Sequence, residues 1–405
     1  MKKNILIKGP VLSQSGYGQQ ARFALRALKH HEDKFEVFIL PISWGKTGWI
    51  WENSEFREWI DERITITQIL IQKKQLEVDI SLQVTIPNEF EKIAPVNIGY
   101  TAGIETTKVS PQWLQKGNEM DKMLVVSNHA KVVYENTVTT ATNTNTGETV
   151  PYKLQTPIDV VWENTPRNNP EPIAGLELDY DYNFLTVSQI SPRKNFTNSI
   201  QWFVEEFIDQ EVGLIVKTNI INNSLIDWEH LQIRVKDMLN KYENRKCKVY
   251  LLHGDLTSGQ MTWLYQHSKI KGLINIAHGE GFGLPMFEAA REGLPVATIG
   301  WSGQVDFLTD KGTEYFQSID YTIQPVQREA VWPGVIEQDS MWAYAEQGSY
   351  KMKLRDMFKN YEESKNRALE LKGIINEKFS DERLYEIFVN SILDEAEEEA
   401  EIIVL

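Results

Sequence analysis

The chain has 405 residues, 41% of them hydrophobic and 24% charged, which excludes a disordered chain and is long enough for two separately cored domains. A net charge of -15 excludes a broad basic footprint for nucleic acid. The single cysteine, Cys247, excludes an internal disulfide and a thiolate metal cluster and fits a reducing compartment. The acid surplus is one-sided: residues 1–160 hold 18 basic and 18 acidic residues, leaving 24 and 39 for the remainder. The first apolar run, Asn4–Lys8, is too short for a signal peptide, and no stretch approaches the roughly 20 apolar residues of a membrane span. A cytoplasmic protein is therefore expected.

Short apolar runs alternate with amphipathic stretches, the pattern of an α/β protein. In the first half, strands are predicted at Asn4–Lys8, Glu36–Pro41, Asp79–Val84, Val96–Tyr100 and Met123–Val126. Helices are predicted at Tyr17–His30, Asn53–Gln72, Pro111–Asn118 and Asn128–Glu135. The Thr- and Asn-rich stretch Thr137–Glu148 reads as a surface hairpin or loop, an insertion spanning about 137–150. The pattern places a first domain over 1–163, a Pro-containing linker over 164–182 and a second domain over 183–375. A C-terminal helix with an acidic end follows over 376–405. The second domain restarts the alternation, with strands at Phe184–Ser188, Gly213–Lys217, Lys248–His253, Gly272–Ala277 and Pro295–Ile299. Helices are expected at Asn195–Ile208, Trp228–Tyr242, Ser258–His267 and Leu284–Glu292, and an almost wholly helical tail from Met341. The acidic run Asp394–Glu401 reads as a solvated helix end.

The segment from His278 through Glu280, Gly281, Phe282, Gly283 and Leu284 to Glu288 follows a strand and opens a helix. Gly281 and Gly283 permit a tight turn beside a helix N-terminus, a natural cradle for phosphate or sugar oxygens. Glu280 and Glu288 can face the same crevice at the carboxyl ends of parallel strands. In the first domain, the loop Gly9–Gly18 also follows a strand and precedes a helix. Its Gly16 and Gly18 allow close approach of a diphosphate.

The run Glu280-x7-Glu288, with Gly293-Leu294-Pro295-Val296 after it, resembles the donor-site signature of retaining GT-B glycosyltransferases of family 4, the glycosyl transferases group 1. Gly300–Phe307 and Val187–Asn195 fit the same pattern, so the resemblance spans most of Asn183–Leu308; the first half matches more weakly. It implies a GT-B fold: two Rossmann-like βαβ domains facing a central cleft, with C-terminal helices crossing back to the first domain. It also implies transfer of a hexose or similar sugar, with retention, from a UDP- or GDP-linked donor to an acceptor hydroxyl of a glycan or other cell-surface or virion glycoconjugate. No cofactor or bound metal is implied.

By the same resemblance, Glu288 would bind the ribose hydroxyls and Glu280 the hydroxyls of the transferred sugar. The backbone of Phe282, Gly283 and Leu284 would lie near sugar and phosphate, and Lys194 would neutralise the leaving diphosphate. Many relatives place an arginine five residues before that lysine, where this chain has Gln189. Arg193 is the available substitute, although neighbouring side chains diverge. Lys217 fits a site-facing lysine or an exposed strand end. Leu251–Leu256 resembles the segment around the nucleotide base. Gly16, Tyr17 and Gly18 would approach the donor from the first domain, and Glu105 is the acceptor-side candidate. His129 reads equally as a capping-turn residue.

Asp179-Tyr180-Asp181 has the spacing of metal-dependent transferases but lies at the edge of the linker. The seven His show no paired ligand spacing. A nucleotide-sugar epimerase, a non-catalytic nucleotide-sugar binder and a DNA-modifying sugar transferase are the competing readings, the acidity arguing against the last. Oligomeric state and peripheral membrane contact stay open.

Overall fold

The computed structural model describes residues 2–50, 52–142 and 146–393. The described chain divides into two compact units. Of the described residues, one unit contains those up to Gly103, those between Pro111 and Asn164 and those from Phe379 to Leu393; the other contains Ile104–Ser110 and Thr165–Lys378.

The first unit is built on β1 (Lys3–Gly9), β2 (Phe35–Pro41), β3 (Ile80–Val84), β4 (Val96–Thr101) and β5 (Lys122–Val125). The hairpin strands β6 (Thr139–Thr142) and β7 (Thr149–Tyr152) pair antiparallel, and residues 143–145 of the expected insertion lie outside the described residues. A short strand the pattern did not reveal, β8 (Ile158–Val160), completes the sheet. Its order is β2-β1-β3-β4-β5-β8, all parallel. Ile5, Leu6 and Ile7 are all buried, as a parallel strand covered on both faces requires. The helices are α1 (Gly16–His30), α2 (Glu55–Gln72), α3 (Pro111–Asn118) and α4 (Asn128–Asn136).

The second unit carries β9 (Asn183–Val187), β10 (Gly213–Lys217), β11 (Lys248–Leu252), β12 (Ile270–Asn275) and β13 (Val296–Ile299). The small antiparallel pair β14 (Thr309–Asp310) and β15 (Thr313–Glu314) precedes β16 (Gln317–Ile319). The main sheet is again parallel, in the order β11-β10-β9-β12-β13-β16. Its helices are α5 (Phe196–Glu206), α6 (Leu225–Leu239), α7 (Ser258–Gln266), α8 (Leu284–Arg291), the single turn α9 (Val305–Leu308), α10 (Gln347–Lys359) and α11 (Tyr361–Lys378). Phe184, Phe203 and Phe207 pack ring to ring at 5.2 to 6.1 Å in its core. Burying each such ring contributes about 1.5–3 kcal/mol.

The tail is less helical than expected, because β17 (Tyr321–Pro325) and β18 (Met341–Ala345) form an antiparallel pair before α10. Trp342 and Ala343 of β18 are fully buried, and that burial overrides the helical periodicity of the flanking sequence.

The last described helix, α12 (Asp381–Leu393), returns to the first unit. Phe388 packs 5.8 Å from Phe23 of α1 and 5.9 Å from Tyr100 of β4. Asn164 fastens its start by donating to the carbonyl of Phe379 (2.8 Å) and to Asp381 (3.0 Å). The acidic run Asp394–Glu401 lies outside the described residues.

In each main sheet the strand order reverses once, between β1 and β3 and between β9 and β12. Loops leaving the carboxyl ends of two such strands part in opposite directions and leave a crevice. In the second unit those loops are residues 188–195 and 276–283, the two segments that carry the candidate charges.

Candidate functional site

After β9 the chain makes a 3-10 turn over Pro192–Lys194 and then places Asn195 in the left-handed region, φ 50°. This bend corrects the expectation that adjacent side chains diverge. Arg193 and Lys194 both reach Glu280, on the loop after β12. Lys194 Nζ lies 2.5 Å from Glu280 Oε1 and 2.7 Å from Oε2. Arg193 Nη1 donates to Glu280 Oε2 at 2.9 Å and to the Gly279 carbonyl at 2.6 Å. Its other arm, Nη2, lies 3.2 Å from Glu105 Oε1. Glu105 belongs to the same unit, because Ile104–Ser110 is part of it.

The Glu280 side chain is only 7% exposed. Burial alone would push its carboxyl up. The charges of Lys194 and Arg193 outweigh that and hold it at about 2. Burial lowers the Lys194 ammonium, with Arg193 adding to the effect and Glu280 opposing it. For Arg193, burial again disfavours the charge, but Glu105 and Glu280 together raise it above its ordinary value. Two cations and two carboxylates thus form a closed, neutral cluster at the crevice.

Residues that sequence reasoning did not single out hold this cluster in place. Asn275 Nδ2 donates to Glu280 Oε1 at 3.2 Å, while its own carbonyl oxygen accepts from the Ala277 amide at 2.8 Å. Ser302, in the left-handed region at φ 78°, accepts from the Glu280 amide at 2.9 Å and donates to Gln304 at 2.8 Å. Gly303 donates to the Glu280 carbonyl, and a Cβ there would lie 1.9 Å from the Gly281 carbonyl oxygen. The run Gly300–Phe307 was legible as a motif, but nothing in it marked Ser302 as the group that fixes Glu280.

Gly283 caps α8 at φ 97°, a conformation open to glycine. Phe282 turns its ring into the core against Phe287 (5.3 Å) and Phe307 (5.0 Å), so only its backbone is left for the crevice. Leu284 opens the helix. Glu288, half-buried in α8, accepts from the Tyr265 hydroxyl at 3.0 Å. Burial raises its carboxyl above the usual range, with Arg291 pulling the other way. Lys217 ends β10, where burial lowers its ammonium and Asp255 opposes the shift. Gln189 donates to the Ile220 carbonyl at 3.0 Å.

The first-unit candidates Gly16, Tyr17 and Gly18 form the first turn of α1, just after the loop that follows β1. Ser15 caps α1 by accepting from the Gly18 amide at 3.1 Å. A Cβ on Gly18 would lie 2.0 Å from the Ser13 carbonyl oxygen, so this glycine serves the packing of the loop on its own helix. Gly16 has open space around its Cα. The Tyr17 hydroxyl bonds Thr101 Oγ1 at 2.8 Å, and its ring rests 4.3 Å from Trp44. His129 stands at the second position of α4, which Ser127 caps.

In the Asp179-Tyr180-Asp181 run, Asp179 makes a structural contact: it accepts from the Tyr250 hydroxyl and pairs with Lys248 at 2.8 Å. Among the described residues, no group of three His, Cys, Asp or Glu is arranged to hold a metal ion, and no helix is long and apolar enough to cross a membrane.

Sucrose-phosphate synthase from Thermosynechococcus elongatus superposes with a TM-score of 0.61 at 11% identity, covering 96% of this chain and 98% of that one. Anabaena HepE, solved with UDP and glucose, gives 0.59 at 11% identity, over 97% and 100%. The E. coli trehalose-6-phosphate structure bound with UDP-2-fluoro glucose gives 0.56 at 10%, over 96% and 98%. The fold is GT-B. No protein-family model matches the sequence, and no curated protein matches it. The GT-B likeness is therefore one of architecture over nearly the whole chain, with the charged cluster at the switch point of its second sheet.

Proposed function

We propose that this protein is a retaining glycosyltransferase of the family 4 type. It would move a hexose or similar sugar from a UDP- or GDP-linked donor to a hydroxyl of a glycan or other glycoconjugate. The observation that carries the reading is the Lys194–Glu280 pair at the switch point of the second sheet, the place where such folds bind ligands. The solved GT-B structures with UDP, glucose or UDP-2-fluoro glucose support a nucleotide-sugar donor.

In this reading Glu280 faces the hydroxyls of the transferred sugar as a fixed, ionised acceptor. Glu288 binds the ribose, and the backbone of Phe282, Gly283 and Leu284 lies along sugar and phosphate. Lys217 adds a donor contact, and Gly16, Tyr17 and Gly18 in the first turn of α1 are the donor candidates of the first unit. Lys194 stabilises the negative charge that develops on the departing diphosphate, which a preorganised cation in a water-poor site does most effectively. The acceptor hydroxyl attacks from the face the diphosphate leaves, and a donor phosphate oxygen takes its proton. Bond breaking at the anomeric carbon leads, so the sugar passes through an oxocarbenium-like state with retention. No protein carboxylate becomes glycosylated, and no metal ion is required.

Thermal unfolding with UDP, GDP, ADP and CMP, with and without Mn²⁺, tests the reading, because a ligand of the native state raises its stability by mass action. A shift with UDP or GDP that needs no metal is expected. No shift with any of the four would overturn it.

A further inference from the structure

Arg193 and Lys194 are neighbours on one turn and share one carboxylate, yet their surroundings differ in a way that separates their roles. Among the described residues the Lys194 ammonium pairs only with Glu280, through both oxygens. Each of those oxygens has a second partner: Asn275 Nδ2 on Oε1 at 3.2 Å and Arg193 Nη1 on Oε2 at 2.9 Å. Lys194 can therefore leave without stripping a buried carboxylate of its partners. Arg193 cannot. Its guanidinium spans Glu280, the Gly279 carbonyl and Glu105, and its own carbonyl accepts from the His278 amide at 2.8 Å. A planar fork fits such a bridging position, whereas a compact ammonium on a flexible stem suits an exchangeable contact.

Glu105 lies in a segment fastened across the same turn. A Cβ on Gly279 would fall 2.4 Å from the Glu105 carbonyl oxygen, so the two backbones run in close contact. Farther along, the Thr107 amide donates to the Met341 carbonyl at 2.9 Å, and the Met341 amide donates to Thr107 Oγ1 at 3.1 Å. Ser110 Oγ donates to the Gly334 carbonyl at 2.9 Å. Arg193 is the charged link between this segment and the Gly279–Glu280 turn.

We infer that the two cations divide the work: Arg193 is a positioning residue that stays on Glu105 and Glu280, while Lys194 leaves Glu280 to meet the donor diphosphate. The inference rests on the donor reading above. It assigns Glu105 to seating Ile104–Ser110 through Arg193. It also means that Arg193 does not supply the phosphate contact missing at Gln189.

The test uses the full chain, titrated calorimetrically with UDP, GDP and ADP, together with amide hydrogen exchange over residues 104–110. Lys194→Ala is expected to weaken the preferred diphosphate at least tenfold, with Lys194→Gln as the second variant should alanine fail to fold. Glu105→Gln should change that affinity less than threefold while speeding exchange over 104–110 at least fivefold. Arg193→Lys should do the same. If Arg193 were instead a phosphate ligand held in check by Glu105, Glu105→Gln would release it and tighten diphosphate binding threefold or more. That result, or an Arg193→Lys loss equal to that of Lys194→Ala, would overturn the division of roles while leaving the donor reading intact. A wild-type protein that binds none of the three diphosphates would overturn both.

Discussion

Lys194 Nζ lies 2.5 Å from Glu280 Oε1, although 86 positions separate the two residues. The pair exists because β9 and β12 are neighbours at the point where the sheet reverses, so the loops that follow them meet. Burial works against the charge of both groups, and each favours the charged form of the other.

That coupling has a pH signature. The Glu280 carboxyl is held at about 2 against an ordinary 4.5, so its contribution to stability is present above 4.5 and is lost as pH falls toward 2. The shift corresponds to about 3 kcal/mol. Urea unfolding followed from pH 5 to pH 2.5 should show a steeper loss for the wild type than for Glu280→Gln. Parallel curves would refute the coupling.

Glu288 has the opposite sign. Burial raises its carboxyl, so ionising it opposes folding, and its stabilising contribution is fully present below 4.5 and lost as pH rises through the raised value. Glu288→Gln keeps an oxygen for the Tyr265 hydroxyl and removes the charge. The ligand-free variant should gain a few tenths to about 1 kcal/mol at pH 7, read as a rise in Tm of about 1–4 °C. Nucleotide binding should fall at the same time. A loss of stability would show that the carboxylate is a structural group.

The two glycines at the start of α1 should separate cleanly. Gly18→Ala drives a Cβ to 2.0 Å from the Ser13 carbonyl and should cost about 2 kcal/mol or more. Gly16→Ala meets nothing within 4 Å in the first turn of a helix and should be neutral or stabilising by up to about 1 kcal/mol. Chemical unfolding of both variants decides the matter, and equal effects would contradict the loop geometry.

The return of α12 is testable through Phe388, which is fully buried between Phe23 and Tyr100. Phe388→Ala should destabilise the first unit by about 3–5 kcal/mol. Its effect should appear as early hydrogen exchange in α1 and β4. Unchanged exchange there would mean that the helix contributes little to that core.

Much of this protein is determined by its sequence alone. Alternating apolar runs such as Ile5–Ile7 and Leu214–Val216 specify buried parallel strands, because each must be covered on both faces. The glycines around Glu280 and the start of α8 are local signals, since turns and caps are satisfied within a few residues. Period also marks α12, whose apolar stripe needs a partner. Other features depend on which strands become neighbours. The convergence of Arg193 and Lys194 on one carboxylate depends on the 3-10 turn over Pro192–Lys194 and on β9 lying beside β12. Asn275 lies outside every motif and Ser302 is unmarked within its own, and only packing turns them toward Glu280. The placement of Glu105 with the second unit, and of β18 where a helix was expected, has the same origin. Periodicity and turn chemistry act over a few residues and can be read along the chain. Pairing a buried charge is a demand that any complementary group can meet, and the tertiary structure decided which one did.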